Sequence, residues 1–344
     1  MATIKRGAVR WGILGCGDVC EVKSGPGFRL ADSSALVAVM RRDGDKAADY
    51  AKRHGVPRWY DDADTLIRDP EIDAVYVATP PGSHLDYAQR VAAAGKPCYV
   101  EKPMARSHGE CRRMIETFAT ARLPLFVAYY RRGLPRFVRA KELIDGGAIG
   151  RVTGCRYRMS RLFRPSPAPQ WRLDPEQSGG GIFLDVGSHA LDLLDFLLGE
   201  FVEFGGSAAT TGVAPVEDVV AVHFRTSRGV VGSASWNFAA SVTEERLEID
   251  GTEGRLSTDV LGYSPLTLSR SGATETIDLP DPPHIQQPLI QTIVDALLGR
   301  GTCPSTGVSA ARTSAVMDAA LSSFYNGRDD AFWDRPQSWN ASRQ

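Results

Sequence analysis

The chain has 344 residues, 43% hydrophobic and 24% charged, and its 40 basic and 41 acidic residues leave a formal net charge of −1. That balance excludes a basic nucleic-acid binder and an acidic tail protein, and the length suggests two domains, each able to bury a core. Six cysteines (Cys16, Cys20, Cys98, Cys111, Cys155, Cys303) with no Cys-x-x-Cys pair argue against a disulfide framework and a zinc ribbon.

The opening MATIKRGAVRWGILGCGD runs directly into a Gly-rich turn, without the apolar stretch and cleavage site of a secretory leader. No later run approaches eighteen apolar residues. The expectation is a cytoplasmic protein with reduced thiols and neither a membrane nor a nucleic-acid partner. Val9–Leu14 reads as a strand, followed by the turn Gly15-Cys16-Gly17 and a helix interrupted at Pro26 and Gly27. Ala35–Met40 is a second strand and Asp45–His54 a helix ending at Gly55. The wholly apolar Ala74–Ala78 suits a parallel strand covered on both faces. Helix His84–Ala94, strand Pro97–Val100, helix Ser107–Ala121 and strand Pro124–Ala128 complete an alternation that predicts right-handed βαβ units in a doubly wound parallel sheet.

Beyond Tyr130 the pattern changes. Helix Arg136–Asp145 stops at Gly146-Gly147, and strand-like stretches follow at Val152–Arg158, Val219–Phe224, Val230–Phe238, Arg246–Asp250 and Leu266–Leu268, with the helix Gly187–Leu198 among them. This predicts an α+β region with an open, mostly antiparallel sheet. Closing helices are expected at Pro288–Leu298 and Val308–Tyr325, the latter packing back on the first domain, before a tail at Asp329–Gln344 read as loop. The domain boundary is placed after 128, giving domains 1–128 and 129–344.

Several residues carry chemistry. Gly12, Gly15 and Gly17 surround the first strand-to-helix turn, with Cys16, Asp18 and Val19 beside them and Cys20 where a third small residue would stand. Gly15 permits a tight turn, and Gly17 lets the backbone approach a pyrophosphate; an ordinary structural turn is the alternative. About twenty residues on, where an NAD enzyme places a carboxylate on the ribose, the chain reads Met40-Arg41-Arg42-Asp43. Two guanidinium groups there suit a 2′-phosphate and hence NADP(H), with NAD(H) as the other option; a solvated basic pair with Asp43 turned inward is the competing reading. Lys102, in Glu101-Lys102-Pro103 at a strand's carboxyl end, stands where open α/β sheets bind ligands and can stabilise charge developing on an oxygen. Asp185, His189 and Asp192 share one helix face, where an imidazole can exchange a proton with a hydroxyl. Asp192 and Asp195 otherwise read as a polar face, and with no second histidine nearby no metal is expected.

Four segments, WGILGCGDV, VYVATPPGSHLDYAQRVAAAGKPCYVEKP, the Gly-Gly-x-Ile-Gly-x-Val run at 146–152 and GGGIFLDVGSHALDLLDFLLG at 179–199, resemble the glucose-fructose oxidoreductase / inositol dehydrogenase / MocA-like dehydrogenases over residues 8–325. The resemblance implies a Rossmann domain, a substrate domain on an open sheet, and homodimers or homotetramers formed through that sheet. It implies that Lys102 is catalytic and that Asp185 and His189 are the Asp-x-x-x-His pair. Thr79, Pro80 and His84 match a loop beside cofactor ribose and nicotinamide, although His84 also reads as the first residue of a helix. Glu101 joins that cofactor set. Trp171 and Arg172 match a pair that meets cofactor in some members, or else simply stack. Tyr129, Tyr130 and Arg132 stand where the family faces substrate. QWRLDPEQSGGGIFLDVGSHALDLLDF is most similar to the 1,5-anhydro-fructose reductase and dimeric dihydrodiol dehydrogenase branch, which favours NADP. Arg161 and Arg164 either meet an anionic substrate or lie in a solvated loop. The implied activity is hydride transfer between nicotinamide and a sugar, polyol or related carbohydrate-like carbonyl or alcohol. Alternatives are an NAD-dependent sugar or inositol dehydrogenase, a non-catalytic dinucleotide-sensing regulator, and a non-redox elimination using transiently oxidised cofactor.

Overall fold

The structure is a computed structural model that describes residues 4, 7–163, 171–212 and 216–328. The predicted tail and Arg164 lie outside the described residues. The chain divides into two compact units: residues up to Ala105 with Glu110–Leu134 and Pro282–Ala310, and Arg106–Gly109 with Pro135–Asp281 and Ala311 onward. The chain passes between the two units five times.

The first unit is built on a six-stranded sheet of order β3-β2-β1-β4-β5-β6, every neighbouring pair parallel. Its strands are β1 (Val9–Leu14), β2 (Ser34–Met40), β3 (Arg58–Tyr60), β4 (Ala74–Val77), β5 (Cys98–Val100) and β6 (Leu125–Val127). The region expected as one interrupted helix forms two, α1 (Asp18–Val22) and α2 (Gly25–Leu30), because Pro26 is tolerated in a first helical turn but not in an interior. They are followed by α3 (Gly44–His54), α4 (Ala63–Arg68), α5 (His84–Ala93) and α6 (His108–Ala121). β4 and β5 are buried at every position, so their side chains are apolar or aromatic throughout. Trp11, Phe28, Tyr76 and Tyr99 form the aromatic core, with centroids 5.0 Å apart for Trp11 and Phe28 and 4.7 Å for Tyr76 and Tyr99. The strand order reverses between β1 and β4, the switch point where such sheets open a ligand crevice at their carboxyl ends.

In the second unit come α7 (Pro135–Asp145), β7 (Val152–Leu162), α8 (Pro175–Ser178), α9 (Ile182–Leu198), β8 (Phe201–Ala209), β9 (Val219–Thr226), β10 (Val231–Asn237), β11 (Ala239–Gly251), β12 (Arg255–Thr258), β13 (Leu266–Arg270) and β14 (Ala273–Ile277). The eight strands run in the order β14-β13-β12-β11-β7-β10-β9-β8, and only β7 and β10 pair in parallel. Phe183 of α9 meets Trp236 of β10 edge-on at 4.9 Å, and Trp236 packs on Tyr157 of β7 at 5.5 Å. α10 (Gln287–Leu297) belongs to the first unit, while α11 (Gly307–Leu321) starts in the first and continues in the second. Among the described residues no helix is long and apolar enough to cross a membrane.

Candidate active site

At the first strand-to-helix turn, Gly15 has φ +85°, and a Cβ there would stand 2.8 Å from Thr79 Cγ2. Only glycine enters that conformation without strain. Gly15 and Cys16 both donate their amides to the Met40 carbonyl, at 2.9 and 3.2 Å, which holds the turn on the end of β2. Gly17 precedes α1, and a Cβ there would meet nothing nearer than the Gly15 carbonyl at 4.0 Å, so this point of the backbone is open. Asp18 is exposed and Val19 half-buried at the start of α1. Gly12 is different. Its Cα faces Leu66 and Ile72, each of which an added Cβ would approach to 2.8 Å, so its small size lets α4 and the following loop pack on β1. Burial pushes the Cys16 thiol up to about 11.

At the tip of β2, Arg41 is half-buried and Arg42 exposed. Neither guanidinium takes part in a hydrogen bond or ion pair among the described residues. Asp43 is not turned inward. Its side chain caps α3, accepting from the Lys46 amide at 3.2 Å and pairing with Lys46 Nζ at 2.9 Å, and those contacts hold its carboxyl below the usual range.

Facing the turn across the switch point, the loop after β4 is fixed by Ser83, whose hydroxyl donates to Thr79 Oγ1 at 2.7 Å and to the Pro80 carbonyl at 2.9 Å. His84 is fully buried. Its Nε2 lies 2.7 Å from the Thr79 carbonyl, and its Nδ1 lies 3.1 and 3.2 Å from the carbonyls of Pro103 and Met104. Only carbonyl oxygens face the two nitrogens, so a neutral ring donates to one side at a time and an imidazolium to both. Desolvation lowers the pKa of this imidazole. The ring is buried between the Thr79-Pro80 loop and the segment after Lys102.

Lys102 is half-buried at the end of β5 and is followed by a cis peptide bond to Pro103. Its amide donates to Glu101 Oε2 at 2.9 Å. Glu101 Oε1 accepts from the Tyr76 hydroxyl and from Gln286 Nε2, both at 2.6 Å. Gln286 carries no motif and escapes the sequence reading. Tyr129 is fully buried and Tyr130 lies under the Arg131 guanidinium, at 4.9 Å. Arg132 donates to the Pro304 carbonyl at 3.1 Å, tying the end of β6 to the later segment of the same unit.

In the second unit, α9 begins after Gly179-Gly180-Gly181. Gly179 has φ +89°, and a Cβ there would come within 2.6 Å of the Arg106 carbonyl. Glu217, unremarked in the sequence, holds this entry: one oxygen accepts from the Gly181 amide at 2.8 Å and the other from the Tyr325 hydroxyl at 2.6 Å. Burial raises its pKa. Asp185 is half-buried in the first turn of α9, and His189, one turn on, is buried. The Arg172 guanidinium stacks on Trp171 at 4.4 Å and donates through Nε to Asp185 at 2.8 Å. The structure therefore brings Trp171, Arg172 and Asp185 together, and His189 follows on the same helix face.

The expectation that Asp192 and Asp195 continue a polar face is corrected. Asp192 is wholly buried, and Asp195 is buried with both oxygens on Arg312, each at 2.8 Å. α9 is covered on nearly every side, so its carboxylates are interior groups with partners. Arg161 lies over the Phe238 ring at 5.9 Å.

The family model described as an oxidoreductase family with an NAD-binding Rossmann fold matches residues 9–129, and the one described as the GFO/IDH/MocA C-terminal domain matches residues 137–257. Oxidoreductase P35 of Formosa agariphila is 38% identical over 315 residues, spanning 90% of this chain and 97% of that protein. The 1,5-anhydro-D-fructose reductase of Ensifer adhaerens is 29% identical over 305 residues, 87% of this chain and 91% of its own. Among solved structures, the aldose-aldose oxidoreductase of Caulobacter crescentus complexed with glycerol has a TM-score of 0.83 at 25% identity, covering 91% of this chain and 96% of that one. With both halves matched and the parallel and mostly antiparallel sheets in their expected places, the chain belongs to the GFO/IDH/MocA family of oxidoreductases, with an NAD-binding Rossmann fold in its first unit.

Proposed function

We propose that this oxidoreductase uses NADP(H) in preference to NAD(H) and acts on a sugar, a polyol or a related cyclic carbonyl or alcohol. The observation that carries the cofactor reading is at the tip of β2. Arg41 and Arg42 are unengaged there, and the adjacent carboxylate of Asp43 is committed to capping α3. A 2′-phosphate would find two forked donors there. The open backbone at Gly17 fits a pyrophosphate in the same way.

When bound, the nicotinamide supplies or receives the hydride. In this reading Lys102 donates a hydrogen bond to the reacting oxygen and stabilises the charge that develops on it. His189 accepts the hydroxyl proton when an alcohol is oxidised and returns it when a carbonyl is reduced, with Asp185 orienting the ring. Substrate class rests on the relatives, which are named for 1,5-anhydro-D-fructose and for aldoses.

The test is a side-by-side titration of the purified protein with NADPH and NADH, followed by fluorescence. The expected result is tighter NADPH binding, with Arg41→Ala and Arg42→Ala each losing about tenfold or more for NADPH and little for NADH, since a hydrogen bond to a charged group contributes about 1.5–3 kcal/mol. Equal affinities, or a preference for NADH, would overturn the phosphate reading in favour of an NAD-dependent sugar or inositol dehydrogenase. Binding of neither would overturn the catalytic reading.

A further inference from the structure

We infer that Gln286 is a positioning residue for Lys102, acting through the Glu101 carboxylate from a segment almost two hundred residues away in the chain; the inference rests on the catalytic reading of Lys102 above. The chain of contacts is short and buried. Gln286 is 1% exposed, Tyr76 and Tyr99 are fully buried and Glu101 is 7% exposed. A carboxylate only accepts, so the amide nitrogen of Gln286 must face Glu101, and it does, with Nε2 2.6 Å from Oε1. That leaves the Gln286 oxygen to accept from the Tyr99 hydroxyl at 2.9 Å. The Tyr76 hydroxyl donates to the same Glu101 oxygen at 2.6 Å. Burial raises both phenol pKa values, which keeps the two hydroxyls as donors.

With Oε1 held by two donors, Oε2 is turned to the Lys102 amide at 2.9 Å. Glu101 is thereby held at both ends, its own amide donating to the Val77 carbonyl at 2.8 Å while its carboxylate accepts from the Lys102 amide. Gln286 is itself tied down: its amide donates to the Lys23 carbonyl at 3.2 Å, next to the Val22 carbonyl that lies 2.7 Å from His284 Nδ1. One residue thus joins the α1–α2 junction, through its backbone amide, to Glu101, the neighbour of Lys102, through its side chain. Removing its amide would leave the Glu101 carboxylate with a single side-chain donor and free to turn, releasing the lysine's amide.

Residue-resolved hydrogen exchange tests this without needing the substrate. In Gln286→Leu the Lys102 amide should lose at least tenfold in protection, while the Glu101 amide, held by the sheet, keeps its own. Unchanged protection at Lys102 in a folded variant would overturn the inference. So would a parallel loss at both amides, which would make Gln286 a general structural prop. Should the leucine variant not fold, Gln286→Glu is the near-isosteric control. A second carboxylate at this distance must share a proton with Glu101. Protection factors at Lys102 should then match the parent protein at pH 5 and collapse at pH 8; a pH-independent ratio would overturn the inference. Turnover on a panel of aldoses, anhydro-sugars and polyols separates the two readings. Full turnover alongside a released Lys102 amide would strike the catalytic role of the lysine and leave the positioning intact.

Discussion

Lys102 stands where the carboxyl end of a buried strand meets solvent, and a substitution there separates chemistry from binding. Lys102→Met keeps the length of the side chain and removes the donor. Turnover is expected to fall about a hundredfold or more, the lower end of what general acid–base loss costs, with the dinucleotide dissociation constant nearly unchanged. Steady-state kinetics with the same sugar and polyol panel, paired with the fluorescence titration, is the check. A variant turning over within threefold of the parent would remove Lys102 from the reaction. The placement of the lysine, the glycine turn and the arginine pair at strand ends was legible because residue type and spacing carry meaning there. Gln286 and Glu217 were not. Each is an isolated polar residue whose role exists only once distant segments meet, Gln286 with Glu101 and Glu217 with Tyr325.

α9 shows what an element can conceal. Its apolar run identified a helix, but the predicted start at Gly187 is five residues late, because the helix opens on the glycines held by Glu217. The carboxyl of Glu217 has its pKa raised by burial. The folded protein therefore binds its proton more tightly than the unfolded chain does. Its contribution to stability is full below the unfolded pKa of about 4.3 and is lost as pH rises through the folded value. Glu217→Gln carries no such penalty. Relative to the parent protein, the melting temperature of this variant is expected to improve between pH 5 and pH 8, and a constant difference would mean that the carboxyl is not titrating with folding. Strands with clear apolar alternation, such as β9 and β10, were legible for similar reasons. β14 was missed because its residues are almost all exposed, and β8 because Gly205 and Gly206 interrupt its pattern. β3 and α4 are short, and Trp59 points its bulk outward.

For the whole molecule, the second unit contains an ion pair, one member of which, the buried Asp195, the sequence reading placed on a polar helix face. Asp195 in α9 is gripped by Arg312 in α11, which also meets Glu200 at 3.1 Å. Arg312→Met would leave a buried carboxylate without its main partner. The expected loss is about 3–5 kcal/mol, read as a lower urea midpoint at unchanged slope. A loss below about 1 kcal/mol would mean that water or another donor replaces the arginine. The family was legible from four short segments, which lie in both matched halves of the chain.

The segment 282–310, which supplies Gln286, the Pro304 carbonyl and the Thr306 bridge to Phe126, belongs to the first unit although it comes near the end of the chain. On the ribosome the dinucleotide-binding half therefore cannot be finished when its sheet emerges. It waits for a segment that starts some hundred and fifty residues later, so the half that begins first is among the last to be completed, and the usual order of folding from the amino terminus is broken.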